Sequence, residues 1–184
     1  MRWATSDHHW GHHNILKYCA ETRPLPSVDE MNAVLVARWN ESVAPDDEVY
    51  LVGDAFCSRR MPRETKVGIL RMLHGSKTLV RGNHDDDLSI FQEAGFESVV
   101  DHLMLDGEIL LIHRSPDKQY GREEWELARK IQPKLIVHGH THSKSVDKPK
   151  CLNVCVDWHD LYPVSWTLIE ERLGNIESEI ADWE

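Results

Sequence analysis

The feature that most constrains this chain is an alternation of short apolar runs, each closing on a glycine, histidine or aspartate block, with segments of helical spacing between them. Glu48-Val49-Tyr50-Leu51-Val52 runs into Gly53-Asp54, and Thr78-Leu79-Val80 into Gly82-Asn83-His84-Asp85. Glu108 to Ile112 ends at His113, and Leu135-Ile136-Val137 at His138-Gly139-His140-Thr141-His142. Between the runs, Ser27 and Glu30 form a capping box ahead of Met31, Val34, Leu35 and Trp39, which predicts a helix over 28–43. Pro62, Val67, Leu70, Leu73 and Gly75 outline a second helix, with further ones over Leu88–Ala94 and Arg122–Lys130. Ser98 to Leu105 reads as one extended stretch entering a hairpin turn at Asp106-Gly107, and strands are expected at Leu152–Val156 and Trp166–Ile169. Strands alternating with helices predict an α/β fold. In such folds ligands gather beyond the carboxyl ends of the strands, so blocks far apart in sequence can share one cleft.

With 184 residues and neither an internal repeat nor a low-complexity linker, residues 1–184 read as a single domain. No run of 18 apolar residues is present and the first ten residues lack the apolar stretch of a secretory signal, which predicts a cytoplasmic protein without membrane attachment. The 21 Lys and Arg against 31 Asp and Glu leave a net charge of −10, too acidic for a track that grips duplex nucleic acid. The four cysteines, Cys19, Cys57, Cys151 and Cys155, read as reduced, the last two sharing one face of a strand.

His, Asp and Asn together bind divalent cations through imidazole nitrogen and oxygen, suiting manganese, iron, zinc or nickel. Glycine just before Asp54, Asn83 and His140 lets the backbone turn sharply and approach a ligand closely. The ordered blocks Asp7-His8-His9, Gly53-Asp54, Gly82-Asn83-His84-Asp85, His113 and Gly139-His140-Thr141-His142 resemble the calcineurin-like metallophosphoesterase superfamily, with its D-x-H, G-D, G-N-H-[DE], lone H and G-H-x-H pattern. The opening Ser6-Asp7-His8-His9-Trp10-Gly11-His12-His13-Asn14-Ile15 is similar to that of a subgroup of small bacterial and phage phosphoesterases.

The resemblance implies a four-layer fold in which two packed mixed β-sheets are flanked by helices. It implies two divalent ions, manganese foremost. Asp7, His9 and His142 would ligate one, Asn83, His113 and His140 the other, and Asp54 would bridge them. It implies hydrolysis of phosphodiesters or phosphomonoesters, diesters favoured, by attack of a metal-bridging hydroxide. His84 would protonate the leaving group, with Asp85 beside it to orient the imidazole. Cys57 stands where purple acid phosphatases carry tyrosine, and Gly53-Asp54-Ala55-Phe56-Cys57-Ser58-Arg59 departs from the G-D-x-V-D-R-G of Ser/Thr phosphatases, so neither branch fits. A small phosphate ester, such as a nucleotide, is the expected partner. The competing readings are a nuclease and a non-catalytic interaction module, as in the retromer subunit that looks like this fold with its catalytic set degraded.

Of the remaining residues, His8 should point away from its neighbours and reads as structural. His12 reads equally as a substrate contact or a surface residue. Arg59, Arg60, Arg81 and Arg114 adjoin the blocks, and Arg114 is the leading candidate to hold substrate phosphate, although an arginine on a loop of an acidic protein commonly just pairs with a carboxylate. Most tryptophans are expected in the core, with Trp10 alone placed to flank substrate. Ile176, Ile180 and Trp183 form a helical stripe at the C-terminus.

Overall fold

A computed structural model describes residues 1–57, 60–117, 121–142 and 150–176. Arg59 and the stripe residues Ile180 and Trp183 lie outside them. In chain order the elements are β1 (Arg2–Thr5), α1 (Ile15–Tyr18), α2 (Val28–Ser42), β2 (Glu48–Leu51), α3 (Arg63–Met72), β3 (Ser76–Val80), α4 (Ser89–Glu93) and β4 (Ser98–Val100). They continue with β5 (Leu103–Leu105), β6 (Ile109–Leu111), α5 (Arg122–Ile131), β7 (Leu135–His138), β8 (Cys151–Asn153), β9 (Val164–Ser165) and α6 (Trp166–Ile176). One sheet runs β4-β3-β2-β1-β9 and the other β5-β6-β7-β8. Both are mixed. β1 to β4 are parallel with β9 antiparallel at the edge, and β6 to β8 are parallel with β5 antiparallel.

Alternation along the strands decides which face each sheet buries. Ala4, Tyr50, Val52 and Val80 from the first sheet meet Ile109, Leu111, Leu135 and Val137 from the second in one apolar layer. The opposite face of the first sheet, through Val49, Leu51 and Leu79, packs on α2 and α3. The opposite face of the second, through Leu110, Ile112 and Ile136, takes Ala128, Leu127 and Ile131 of α5. Each fully buried aliphatic side chain contributes about 1.5–3 kcal/mol to this helix–sheet–sheet–helix stack. It is the four-layer arrangement that the resemblance to metallophosphoesterases implies. No helix among the described residues is long and apolar enough to cross a membrane.

Local chemistry explains most boundaries. Ser27 Oγ accepts the Glu30 amide at 3.2 Å and starts α2, as its capping box predicts. Asp106 and Gly107 both adopt positive φ, 54° and 73°, the hairpin geometry that joins β5 to β6. Three expectations need correction. The Ser98–Leu105 stretch is two strands, β4 in one sheet and β5 in the other, because the chain changes sheet at Asp101-His102. The expected strand at Trp166–Ile169 is the first turn of α6, whose Trp166, Ile169, Leu173 and Ile176 share one face and fill the layer between the sheets. Strand-forming residue types misled there, and the longer helical period prevailed. Finally, β8 stops at Asn153, whose Oδ1 accepts the Cys155 amide at 2.9 Å and turns the chain. Cys151 therefore faces α5 whereas Cys155 lies elsewhere, and the two do not share a strand face. None of the four cysteines forms a disulfide bond.

Candidate metal centre

Five strands reach the candidate blocks at one offset. Two residues beyond the ends of β1, β2, β3, β6 and β7 stand Asp7, Gly53, Gly82, His113 and His140. The parallel β1-β2-β3 and β6-β7 pairs bring all five ends to one edge of the sandwich. The backbone there is strained. Asp7, His9, Asp54, His140 and His142 all adopt left-handed φ, between 46° and 69°. Non-glycine residues persist in that region only where their surroundings over-determine them, and such positions cluster at functional sites. Glycine is needed for close approach: a Cβ on Gly82 would lie 2.2 Å from Asp54 Oδ1, and one on Gly139 2.3 Å from Asp7 Oδ2.

Asp7, His9 and His142 place ligand atoms within 4.8 Å of one another, and so do Asp54, His113 and His140. Asp54 Oδ2 sits between the groups, 3.2 Å from His113 Nε2 and 3.8 Å from His9 Nε2, while Asp54 Oδ1 accepts the His84 amide at 2.9 Å. Asp7, His9, Asp54 and His113 are buried, and His140 and His142 are half-buried. His113 Nδ1 donates to the Val52 carbonyl at 2.8 Å, so in the neutral ring the Nε2 lone pair faces a carboxylate oxygen. Two acceptors facing each other need a cation between them. Asp7 Oδ1, both ring nitrogens of His9 and His113 Nε2 are buried with no hydrogen-bond partner, the pattern of a donor set shaped for metal.

Electrostatics agree. Burial alone would raise Asp54, but His113 and His9 beside it hold it well below the usual carboxylate range. Burial would lower His113 and His142, yet Asp54 and Asp7 push the first up to about 9, and Asp157 together with Cys19 pushes the second up to about 10. Both imidazoles thus favour their protonated form in the metal-free protein, and a cation held by them would displace those protons.

Asn83 is exposed, and so is His84, whose Nε2 lies 4.0 Å from Asp54 Oδ2. Asp85 does not orient the His84 ring, which corrects the expectation for it. Its Oδ2 accepts the amides of Asp54 and Gly82 at 2.9 and 2.8 Å and its Oδ1 that of Ala55 at 3.1 Å, so the buried carboxylate ties the second block to the third. Burial raises it to about 6. His12 is half-buried and grouped with His9 and Cys57. Arg114 lines a cleft of about 440 Å3 that also includes Asn83 and His113. Trp10 is fully buried among His8, Trp39 and Phe56, so it is core and not a substrate flank. His8 is buried and stacks on Trp10 with ring centres 4.2 Å apart, a structural residue as its alternation predicts.

Two contributors escaped the sequence reading. Asp157 Oδ2 accepts from His142 Nδ1 at 2.7 Å, which fixes the orientation of that ring. Arg23 is buried, and its Nε and Nη2 reach Asp157 at 2.8 and 2.9 Å while Nη1 and Nη2 donate to the carbonyls of His8 and Asp7 at 2.8 and 2.6 Å. One ion pair thus holds the first block and the last ligand. Arg23-Pro24 sits in a short, unremarkable loop, and its only signal in the sequence is a basic residue in a turn ahead of a capped helix.

No family model matches the chain. It is 32% identical over 191 aligned positions, covering 96% of this chain and 94% of the relative, to the uncharacterized protein MJ1445 of Methanocaldococcus jannaschii. It is 28% identical over 201 positions, covering 95% and 96%, to the gene 66 protein of Mycobacterium phage D29. Among solved structures, the protein of unknown function AQ665 from Aquifex aeolicus superposes with a TM-score of 0.75 at 26% identity, covering 93% of this chain and 98% of that one. Coverage is near complete in both directions, so the likeness extends over nearly the whole chain. The chain belongs to the same family as MJ1445 of Methanocaldococcus jannaschii.

Proposed function

We propose that the protein is a binuclear metal-dependent phosphoesterase acting on small soluble phosphodiesters, with phosphomonoesters as secondary substrates. The observation that carries this reading is Asp54 Oδ2 lying between two His/Asp groups, 3.2 Å from His113 Nε2 and 3.8 Å from His9 Nε2. Asp7, His9 and His142 would hold one ion, Asn83, His113 and His140 the other, and Asp54 both. When bound, such ions supply Lewis acidity toward the phosphoryl oxygens and a nucleophile at neutral pH. Manganese is the favoured pair, and iron, zinc or nickel suit the same donors.

The chain's own residues do the rest. The His84 imidazole is half-exposed and near Asp54, so it can reach solvent for a proton and deliver it to a departing alkoxide. Asp85 keeps the Gly82 backbone and the Asp54-Ala55 loop in register through its three amide bonds. Arg23 and Asp157 fix the first block and the His142 ring. The acidic surface favours a small ester over a polynucleotide. Hydrolysis of bis-p-nitrophenyl phosphate and p-nitrophenyl phosphate with added manganese tests the activity, and elemental analysis tests the stoichiometry. Two ions per chain and faster turnover of the diester are expected, with Asp54→Asn weakening both ions together. One ion at saturation, or no turnover with any divalent metal, refutes the reading and promotes the interaction module.

A further inference from the structure

The 440 Å3 cleft beside the centre is bordered by residues that the metal ligands do not explain. Arg81 follows β3, His102 lies where the chain changes sheet, and Arg114 follows His113, and all three line it together with Asn83 and His113. Arg2, Arg23, Arg63, Arg71 and Arg122 each have a carboxylate within 4.0 Å, while Arg38 and Arg129 lie over the rings of Tyr162 and Trp125. Among the described residues, neither Arg81 nor Arg114 pairs with a carboxylate, although Asp101 and, from α5, Glu123 and Glu124 line the same cleft. Two guanidiniums left free and an imidazole, gathered from three strand ends into one concavity, form a receptor for a tetrahedral anion. Asp101, Glu123 and Glu124 limit its charge capacity, so it suits one added group and repels a run of phosphates.

Resting on the phosphoesterase reading, we propose that this cleft is a subsite for a second phosphate on the substrate, one not cleaved, so that the preferred substrates are small esters already carrying a terminal phosphate, such as a nucleotide phosphorylated at its other hydroxyl. Arg81 and His102 are the specificity residues it adds to Arg114. The neighbouring cleft lined by Cys57, Lys66, His84 and Asp86 is left for the leaving group.

Two esters isolate the effect, thymidine 5′-(p-nitrophenyl phosphate) and the same compound carrying a 3′-phosphate. Both lose the same leaving group. In the manganese-loaded protein the 3′-phosphate should raise kcat/KM about 10- to 100-fold, the range of charge-assisted hydrogen bonds. Arg81→Ala should bring the ratio of the two kcat/KM values close to one, and Arg71→Ala, which removes the same charge from α3, should keep the parent ratio. Calorimetry gives a readout independent of turnover, with thymidine 3′,5′-bisphosphate binding more tightly than thymidine 5′-monophosphate to the parent and not to Arg81→Ala. Equal kcat/KM values for the two esters in the parent, or a ratio that survives Arg81→Ala, overturn the subsite while leaving the phosphoesterase reading intact. If neither ester is hydrolysed, that reading fails and calorimetry alone decides the subsite: a bisphosphate preference that depends on Arg81 supports it, and equal binding overturns it.

Discussion

Removing the Asp157 carboxylate should separate what the buried ion pair does for stability from what it does for the site. Asp157 and Arg23 are both fully buried side chains, and Asp157 accepts from Arg23 twice, from Thr22 Oγ1 at 2.8 Å and from His142 at 2.7 Å. Asp157→Ala strands the guanidinium without a counter-charge, and breaking a buried pair this way costs about 3–5 kcal/mol. At about 2–4 °C per kcal/mol for a chain of this size, the melting midpoint should fall by about 6–20 °C. The double variant Arg23→Met, Asp157→Leu removes both charges and should recover much of that loss, because well-packed apolar replacements of buried pairs are often neutral. It cannot recover the His142 hydrogen bond. Manganese titration followed by calorimetry should therefore show one ion weakened about 10- to 100-fold in the double variant, the usual cost of losing a partner behind a metal-binding histidine. Asp157→Ala melting within about 2 °C of the parent would refute the energetic argument. Undiminished affinity for both ions in the double variant would refute the positioning role.

Burial pushes His8 down to about 3, with Arg23 adding to it, so in metal-free protein its contribution to stability is fully present above its unfolded value near 6.5 and is lost as pH falls from there toward 3. The slope is about 1.4 kcal/mol per pH unit, and urea unfolding at pH 7 and pH 5 should show it in the parent and not in His8→Phe; equal slopes would contradict the assignment. Gly82→Ala should abolish binding of both ions because its Cβ would collide with Asp54, whereas Gly68→Ala, with open space around it inside α3, should stabilise by about 0.4–1 kcal/mol. Full metal occupancy in Gly82→Ala would sink the close-approach argument. Trp10→Ala should cost about 3–5 kcal/mol in urea unfolding, and a raised KM with unchanged stability would return Trp10 to the substrate.

The strand-end blocks were legible in the sequence because metal chemistry admits few side chains and parallel strands present them at one edge. Helix α2 was legible because Ser27 and Glu30 are local signals, and the Asp106-Gly107 turn because few residue pairs adopt its backbone. The change of sheet at Asp101-His102 was not, since pairing partners lie far along the chain and an extended run carries no mark of which sheet it will join. α6 was misread for a similar reason: Trp166, Thr167 and Ile169 favour strands locally, and only the layer between the sheets selects the helical face. Asp85 stands next to His84 in sequence, yet its side chain turns to three backbone amides, because adjacency says nothing of direction. Asp157, Arg23, Arg81 and His102 acquire their roles only from what faces them across the fold. Residue types and their order are written along the chain, whereas burial, the loss of competing water and the partner of each charge exist only after distant segments have packed.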